Sequence, residues 1–214
     1  MGLFISIEGP EGSGKTTVAK KVTEKLEEEG YKVLYTREPG GVEIAEKIRD
    51  IILDVKNTNL DPKSEALLYA ASRRQHLVEK VEPALKKGYI IICDRFVDSS
   101  LAYQGHARKI GIDEVFNINK FAIGETWPDL TILLDIDPQI GLDRINTERN
   151  QEVNRLDLES INFHKLVHDG YEIIKNKYRN RFTIVDGNKS KDEVFNEVYS
   201  LIKQAIEKKN ICKI

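Results

Sequence analysis

Residues 9–16 read GPEGSGKT, and Gly9, Gly14, Lys15 and Thr16 satisfy the pattern G-x-x-x-x-G-K-[ST]. The stretch follows an apolar run, LFISIE at 3–8, and precedes a helical pattern from Lys15 to Glu29 that stops at Gly30. A strand, a glycine-rich loop and a helix in that order limit the fold more than any other feature of the chain. Glycines let the backbone curl so that several N–H groups point inward, where phosphate oxygens can sit. The helix adds its positive N-terminal end. Lys15 supplies a charge for the outer phosphates, and the Thr16 hydroxyl suits a magnesium ion. Gly9, Pro10, Glu11, Gly12, Ser13, Gly14, Lys15, Thr16 and Thr17 are therefore the candidate triphosphate-binding residues.

The rest of the chain repeats the strand–helix alternation. KVLYTR (32–37), YIIICD (89–94), LTILLDI (130–136) and RFTIVD (181–186) read as further strands. Most are continuously apolar, as strands covered on both faces are. Helical patterns fill 138–149, 158–177 and 190–209. Another helix begins at Asp61-Pro62, a capping side chain followed by a first-turn proline. It carries Ala66, Leu67, Ala70, Ala71 and Leu77, and Pro83 is expected to kink or restart it. The expected architecture is α/β, a five-stranded parallel sheet flanked by helices in the P-loop NTPase manner. One domain over 1–214 is expected, with a short mobile lid at about 143–156 in the polar stretch RINTERNQEVNRL; a solvated helix end is the other reading of that stretch.

Charge and composition narrow the function. The formal net charge is -2, so no basic excess points to a nucleic-acid polymer. No stretch approaches the length of a membrane span, and the N-terminal apolar run is too short for a secretory signal. Of the two cysteines, Cys93 lies in an apolar run and reads as a buried reduced thiol, which points to the cytoplasm. A GTPase would carry N-K-x-D after a strand, whereas NKFA at 119–122 has Ala122 in the aspartate position and lies in a helical pattern. A kinase acting on a small acceptor fits best.

Several stretches offer that acceptor a place. TREPGG (36–41) follows the second strand, where ligands of parallel sheets collect; a plain turn into the next helix would explain Gly40 and Gly41 but not Arg37 and Glu38. Tyr69 and Arg73 share a helix face, so a ring could stack on a base while a guanidinium donates to its edge. Arginine only donates, thymine and uracil present O4 as an acceptor, and cytosine presents an amino donor there. A core tyrosine with a surface arginine is the competing reading. In CDRFVDSSLAYQG (93–105), Asp94 ends a strand where a carboxylate can hold magnesium, and Arg95 would reach an acceptor phosphate. Ser99, Ser100, Tyr103 and Gln104 follow on one helical turn, with Asp98 and Ser99 as alternative helix caps. Arg144, Arg149 and Arg155 populate the polar stretch, and VDGNKS (185–190) could flank a purine.

In order and spacing, FISIEGPEGSGKTT, TREPGG, YAASRR, DRFVDSSLAYQG, PDLTILLDI and RLDLE resemble the thymidylate kinase family, from Phe4 to about Tyr178. The resemblance implies ATP as donor with Mg²⁺, dTMP as acceptor, and a homodimer. It implies that Glu11 contacts the dTMP sugar region or metal-bound water, and that Arg49 and Arg95, with Arg37, grip the dTMP phosphate. It further implies that Tyr69 stacks on thymine, Arg73 meets O4, Ser100 and Gln104 touch the base, and Tyr103 crowds the sugar 2′ position. The loop here holds Pro10, Glu11, Gly12 and Ser13 and no arginine. That resembles the branch in which the lid supplies the catalytic arginine, Arg149 first and Arg144 second.

Overall fold

A computed structural model describes residues 2–147, 155–156 and 158–213. Its five parallel strands are β1 (Leu3–Glu8), β2 (Val33–Arg37), β3 (Ile90–Asp94), β4 (Leu130–Asp135) and β5 (Phe182–Asp186). They lie in the order β2-β3-β1-β4-β5. All the expected strands are present, each within a residue of its expected bounds. The register sets Asp94 beside Ile7 on one side and Arg37 on the other, so three strand ends finish level.

Alternation along β1 divides the core. Leu3, Ile5 and Ile7 pack on α1 (Lys15–Glu28) and α9 (Lys191–Lys208) through Val18, Val22, Leu26, Val198 and Ile202. Phe4 faces the opposite layer, which includes Leu77 and Val81 just beyond α3 (Pro62–His76), and α8 (Ile161–Lys177) through Phe163, Val167 and Tyr171. Ser6 on that face is buried and donates to the Thr131 hydroxyl at 3.1 Å, so even the polar strand positions are satisfied. Burial on both faces is why these strands read as unbroken apolar runs.

The helices largely follow the sequence signals. Asp61 caps α3, accepting from the backbone of Lys63 and Ser64. The helix then passes through a π-helical turn, Leu77–Val81, into α4 (Glu82–Lys86), so the distortion falls just ahead of Pro83. Ala66, Ala70 and Leu77 are buried as expected, but Leu67 and Ala71 face outward. α6 (Ile112–Ile123) contains the helical pattern read at 119–122, and α2 (Glu43–Leu53) is the helix after TREPGG; the sequence signals bounded neither. Neither has a capping side chain, which removes the usual start signal. The reading of Asp98 and Ser99 as caps fails. α5 (Val97–Ser100) starts after Phe96 with no side-chain cap, and Asp98 is a buried partner of Arg181. α7 (Pro138–Thr147) occupies the start of the polar stretch, while Arg149 and the middle of the expected lid lie outside the described residues.

The phosphate loop is held from behind by α7. A Cβ on Gly12 (φ +72°) would lie 2.0 Å from the Gly141 carbonyl oxygen, and a Cβ on Gly141 would lie 2.4 Å from that of Glu11. The two backbones touch because neither residue carries a side chain. Gly141→Ala, although favourable for an isolated helix, is therefore expected to displace the loop and weaken ATP binding by ~10-fold or more, read by calorimetric titration. Unchanged affinity would mean that the loop moves aside freely.

Candidate active site

β1 ends in Glu8, and the chain then curls through Gly9 (φ +148°), Gly12 and Gly14 (φ +84°) into α1. Lys15 is nearly buried, with Nζ donating to the Pro10 carbonyl at 2.8 Å and the Ser13 hydroxyl at 3.3 Å. Burial, followed by the charge of Arg95, pulls the Lys15 pKa down to about 8 against the opposing pull of Glu11, Asp94 and Glu8. Thr16 donates its hydroxyl proton to Oδ2 of Asp94 at the tip of β3. A hydroxyl and a carboxylate meeting there form the hard-oxygen donor set that magnesium takes, so these residues fit the ion. Thr17 is exposed on the first turn of α1.

A cleft of about 900 Å³ opens beside this loop, above the strand ends. Glu11, Lys15 and Thr16 form its loop wall. Arg37 and Glu38 enter from β2, Arg49 from α2, and Tyr69 and Arg73 from α3. Asp94 and Arg95 enter from β3, and Ser99, Ser100, Tyr103 and Gln104 from the helical run beyond it. Nearly all the candidate acceptor residues thus converge, although they span much of the sequence.

Arg95 is the pivot. Its φ of 69° is rare for a residue with a side chain, and it swings the guanidinium from the strand end towards the loop. Nη1 donates to the Gly9 carbonyl at 3.0 Å and the Ser99 hydroxyl at 3.1 Å. Nη2 lies 2.8 Å from Glu11 Oε1, which also accepts from the Tyr103 hydroxyl at 3.1 Å. Burial opposes the charge on Glu11, but Arg95, then Lys15, and the Tyr103 hydroxyl outweigh it and hold the carboxyl at about 2. Burial likewise opposes the charge on Arg95, and Glu11, Tyr103, Tyr171 and Asp94 together more than compensate.

Arg73 is not a surface residue. It is 2 % exposed and packs on the Phe96 ring at 5.1 Å. Nε donates to Glu38 at 2.6 Å, Nη1 to the Ser100 hydroxyl at 3.2 Å and to Asn119, and Nη2 to the Phe96 carbonyl at 3.0 Å. Glu38, read from sequence as a ligand contact, uses its second oxygen on His76 Nδ1 at 2.9 Å. Burial penalises the Glu38 carboxylate, yet Arg73 and His76 hold its pKa below the usual range. Arg49 donates to the Pro39 carbonyl at 3.0 Å, and Arg37 to the same carbonyl at 2.7 Å and to Glu46 at 3.1 Å.

The arginines of the polar stretch separate. Arg144 donates to the Gly187 carbonyl at 3.1 Å, in the loop after β5, and is not among the residues lining the cleft. Arg155 is bound to α2 and α3, with Nε on the Ile52 carbonyl at 2.9 Å and Nη2 on Glu65 at 2.5 Å. Sequence reasoning missed Glu8, Glu65, His76 and Asn119. Each is fully buried and polar, and only charged or amide residues inside apolar patterns could have marked them. Cys93 is free and buried as expected, and burial raises its pKa. No helix among the described residues is long and apolar enough to cross a membrane.

A triphosphate loop at the carboxyl edge of a parallel sheet, facing an arginine-lined cleft, defines a P-loop kinase for a small anionic acceptor. The model of the family described as thymidylate kinase matches residues 7–198. Curated thymidylate kinases of Bacillus licheniformis and Bacillus pumilus are 55 % and 56 % identical to this chain over 210 residues, 98 % of this chain and 99 % of theirs. The solved structure of the Ehrlichia chaffeensis thymidylate kinase is 33 % identical, with a TM-score of 0.74, covering 94 % of this chain and 98 % of that one. The chain belongs to the thymidylate kinase family, and it is a nucleoside monophosphate kinase, a transferase.

The Glu11 carboxyl titrates below its unfolded value of 4.5, at about 2. The stability it contributes is present above pH 4.5 and is lost as pH falls towards 2. Urea unfolding of wild type and Glu11→Gln is expected to show a gap of up to about 3 kcal/mol at pH 7 that narrows below pH 4.5. A gap independent of pH would contradict the pairing with Arg95.

Proposed function

We propose that this chain transfers the γ-phosphoryl group of ATP to the phosphate of dTMP, giving ADP and dTDP for dTTP synthesis. The observation that carries the reading is the placement of Arg49 and Arg95 in the same cleft as Lys15, with Arg73 on its α3 wall. The acceptor phosphate has a second pKa near ~6 and is already mostly a dianion at neutral pH, so it requires no general base. The difficulty is to hold two polyanions in line. Lys15 grips the donor phosphates within the N–H cradle of Gly9–Thr17, and Arg49, Arg95 and Arg37 hold the dTMP phosphate. Glu11 orients Arg95 through their ion pair. Thr16 and Asp94 would hold Mg²⁺, which neutralises charge on the phosphates when bound.

The thymine ring stacks on Tyr69, its O4 accepts from Arg73, and Ser100 and Gln104 complete the base contacts. Glu38 acts through Arg73. Tyr103, fixed by Glu11, disfavours a 2′-hydroxyl. Arg149 is assigned as the catalytic lid arginine. With Arg144 directed at Gly187, its part is at the donor side.

The chain is assigned to the cytoplasm, in keeping with its free cysteines. It is also assigned as a homodimer, through α2, α3 and α6. α3 packs against both neighbours, and the outer faces carry Ile51 at 48 %, Leu67 at 56 % and Phe121 at 90 % exposure. That concentration of exposed apolar side chains suits a second copy of the same surface.

A coupled assay across nucleoside monophosphates is expected to show turnover of dTMP and dUMP, with dCMP at least ~1,000-fold poorer in kcat/KM. In the same assay Arg95→Ala is expected to lose at least ~1,000-fold with dTMP, while ATP affinity changes far less. Turnover of thymidine in place of dTMP would assign a nucleoside kinase instead. Phe121→Glu is expected to halve the mass measured by light scattering, and an unchanged mass would remove this face from the interface.

A further inference from the structure

We propose that Glu65 is a positioning residue that sets which end of the Gln104 amide meets the acceptor base. The proposal rests on the assignment of dTMP as acceptor and deepens it. Glu65 lies in the first turn of α3 and is fully buried. Its Oε1 accepts from Gln104 Nε2 at 2.8 Å and from Arg108 Nε at 3.4 Å, and its Oε2 accepts from Arg155 Nη2 at 2.5 Å. Donors from three separate parts of the chain thus converge on one carboxylate.

The chemistry of that carboxylate decides the orientation of the amide. An ionised carboxylate between two guanidinium groups accepts hydrogen bonds and has none to give. Gln104 can therefore turn only its NH₂ end to Glu65, whichever way the amide is first drawn. Its carbonyl oxygen is left for the cleft that the residue lines, and no donor among the described residues meets it.

Arg73 supplies the other half of the pattern. Four of its five N–H groups are taken by Glu38, Ser100, Asn119 and the Phe96 carbonyl, which leaves a single N–H on Nη2. The cleft then offers one fixed acceptor and one fixed donor. Thymine and uracil present N3–H beside the O4 acceptor and match both. Cytosine presents an N3 acceptor beside an amino donor and mismatches both. With the amide reversed, the wall would show two donors, and each base would find one partner and one clash. Discrimination on this account needs Glu65, which touches no substrate.

Glu65→Gln tests it, because an amide at 65 can donate as well as accept and frees Gln104 to turn. In the variant, the preference for dTMP over dCMP in kcat/KM is expected to fall at least ~30-fold. The loss is expected mainly in the KM for dTMP, with little change in the KM for ATP, a split that general loosening of the fold would not give. Preserved discrimination in a folded variant overturns the proposal. A second measurement does not depend on the variant folding. In a crystal of the wild-type protein with dTMP, thymine N3 is expected against Gln104 while the amide keeps its contact with Glu65. Thymine O4 or O2 against Gln104 overturns the proposal. Absence of any dTMP turnover by wild type overturns the acceptor assignment itself, a failure distinguishable from retained selectivity in the variant.

Discussion

Glu8 ties the two halves of the site into one frame. It ends the central strand and is fully buried, yet it carries a carboxylate. One oxygen accepts from the Phe96 backbone at 2.7 Å, and the other from the Ser99 hydroxyl at 2.6 Å and the Tyr171 hydroxyl at 3.2 Å. The residue that launches the phosphate loop therefore also anchors the helical run that lines the cleft through Ser99, Ser100, Tyr103 and Gln104, and it reaches α8 as well. A buried carboxylate is tolerated only with such partners. Through it, the loop wall and the facing wall of the cleft are built on the same strand end, and their relative position does not depend on a flexible connection.

The same economy runs through the cleft. Arg37, Arg49, Arg73 and Arg95, gathered in one cleft, would repel one another. Three of them are balanced locally, Arg95 by Glu11, Arg73 by Glu38 and Arg37 by Glu46, while Arg49 is held by the Pro39 carbonyl. These pairs hold the guanidinium groups in fixed poses, which is what electrostatic preorganisation requires. The left-handed backbone at Arg95 fits this picture, because the strain is stored where the pose matters most.

What could be read from the sequence divides along chain distance. The phosphate loop is a local object whose glycines, lysine and hydroxyl lie within a few residues, so its geometry followed from the string. The strands announced themselves because both their faces are covered. The buried polar framework did not. Glu8 meets Ser99 from 91 residues away, Arg73 meets Asn119 from 46, and Glu65 meets Arg155 from 90. No periodicity encodes such pairings. Asp98 shows how local logic misleads. Its position suits a helix cap, but Arg181, itself stacked over Tyr178 at 4.7 Å, claims it. The bounds of α2 could not be read because Val42 precedes it where a capping side chain would stand.

The nearly saturated guanidinium of Arg73 has a consequence for chemical design. A competitive ligand for this pocket gains from one well-placed acceptor, and a second acceptor beside it finds no hydrogen to share. A donor brought to the same spot would instead strand two N–H groups against each other, a loss of ~1–3 kcal/mol that added apolar bulk would have to offset. Narrow tolerance at that one atom, and at the donor position beside it that faces Gln104, is the pharmacophore this wall imposes.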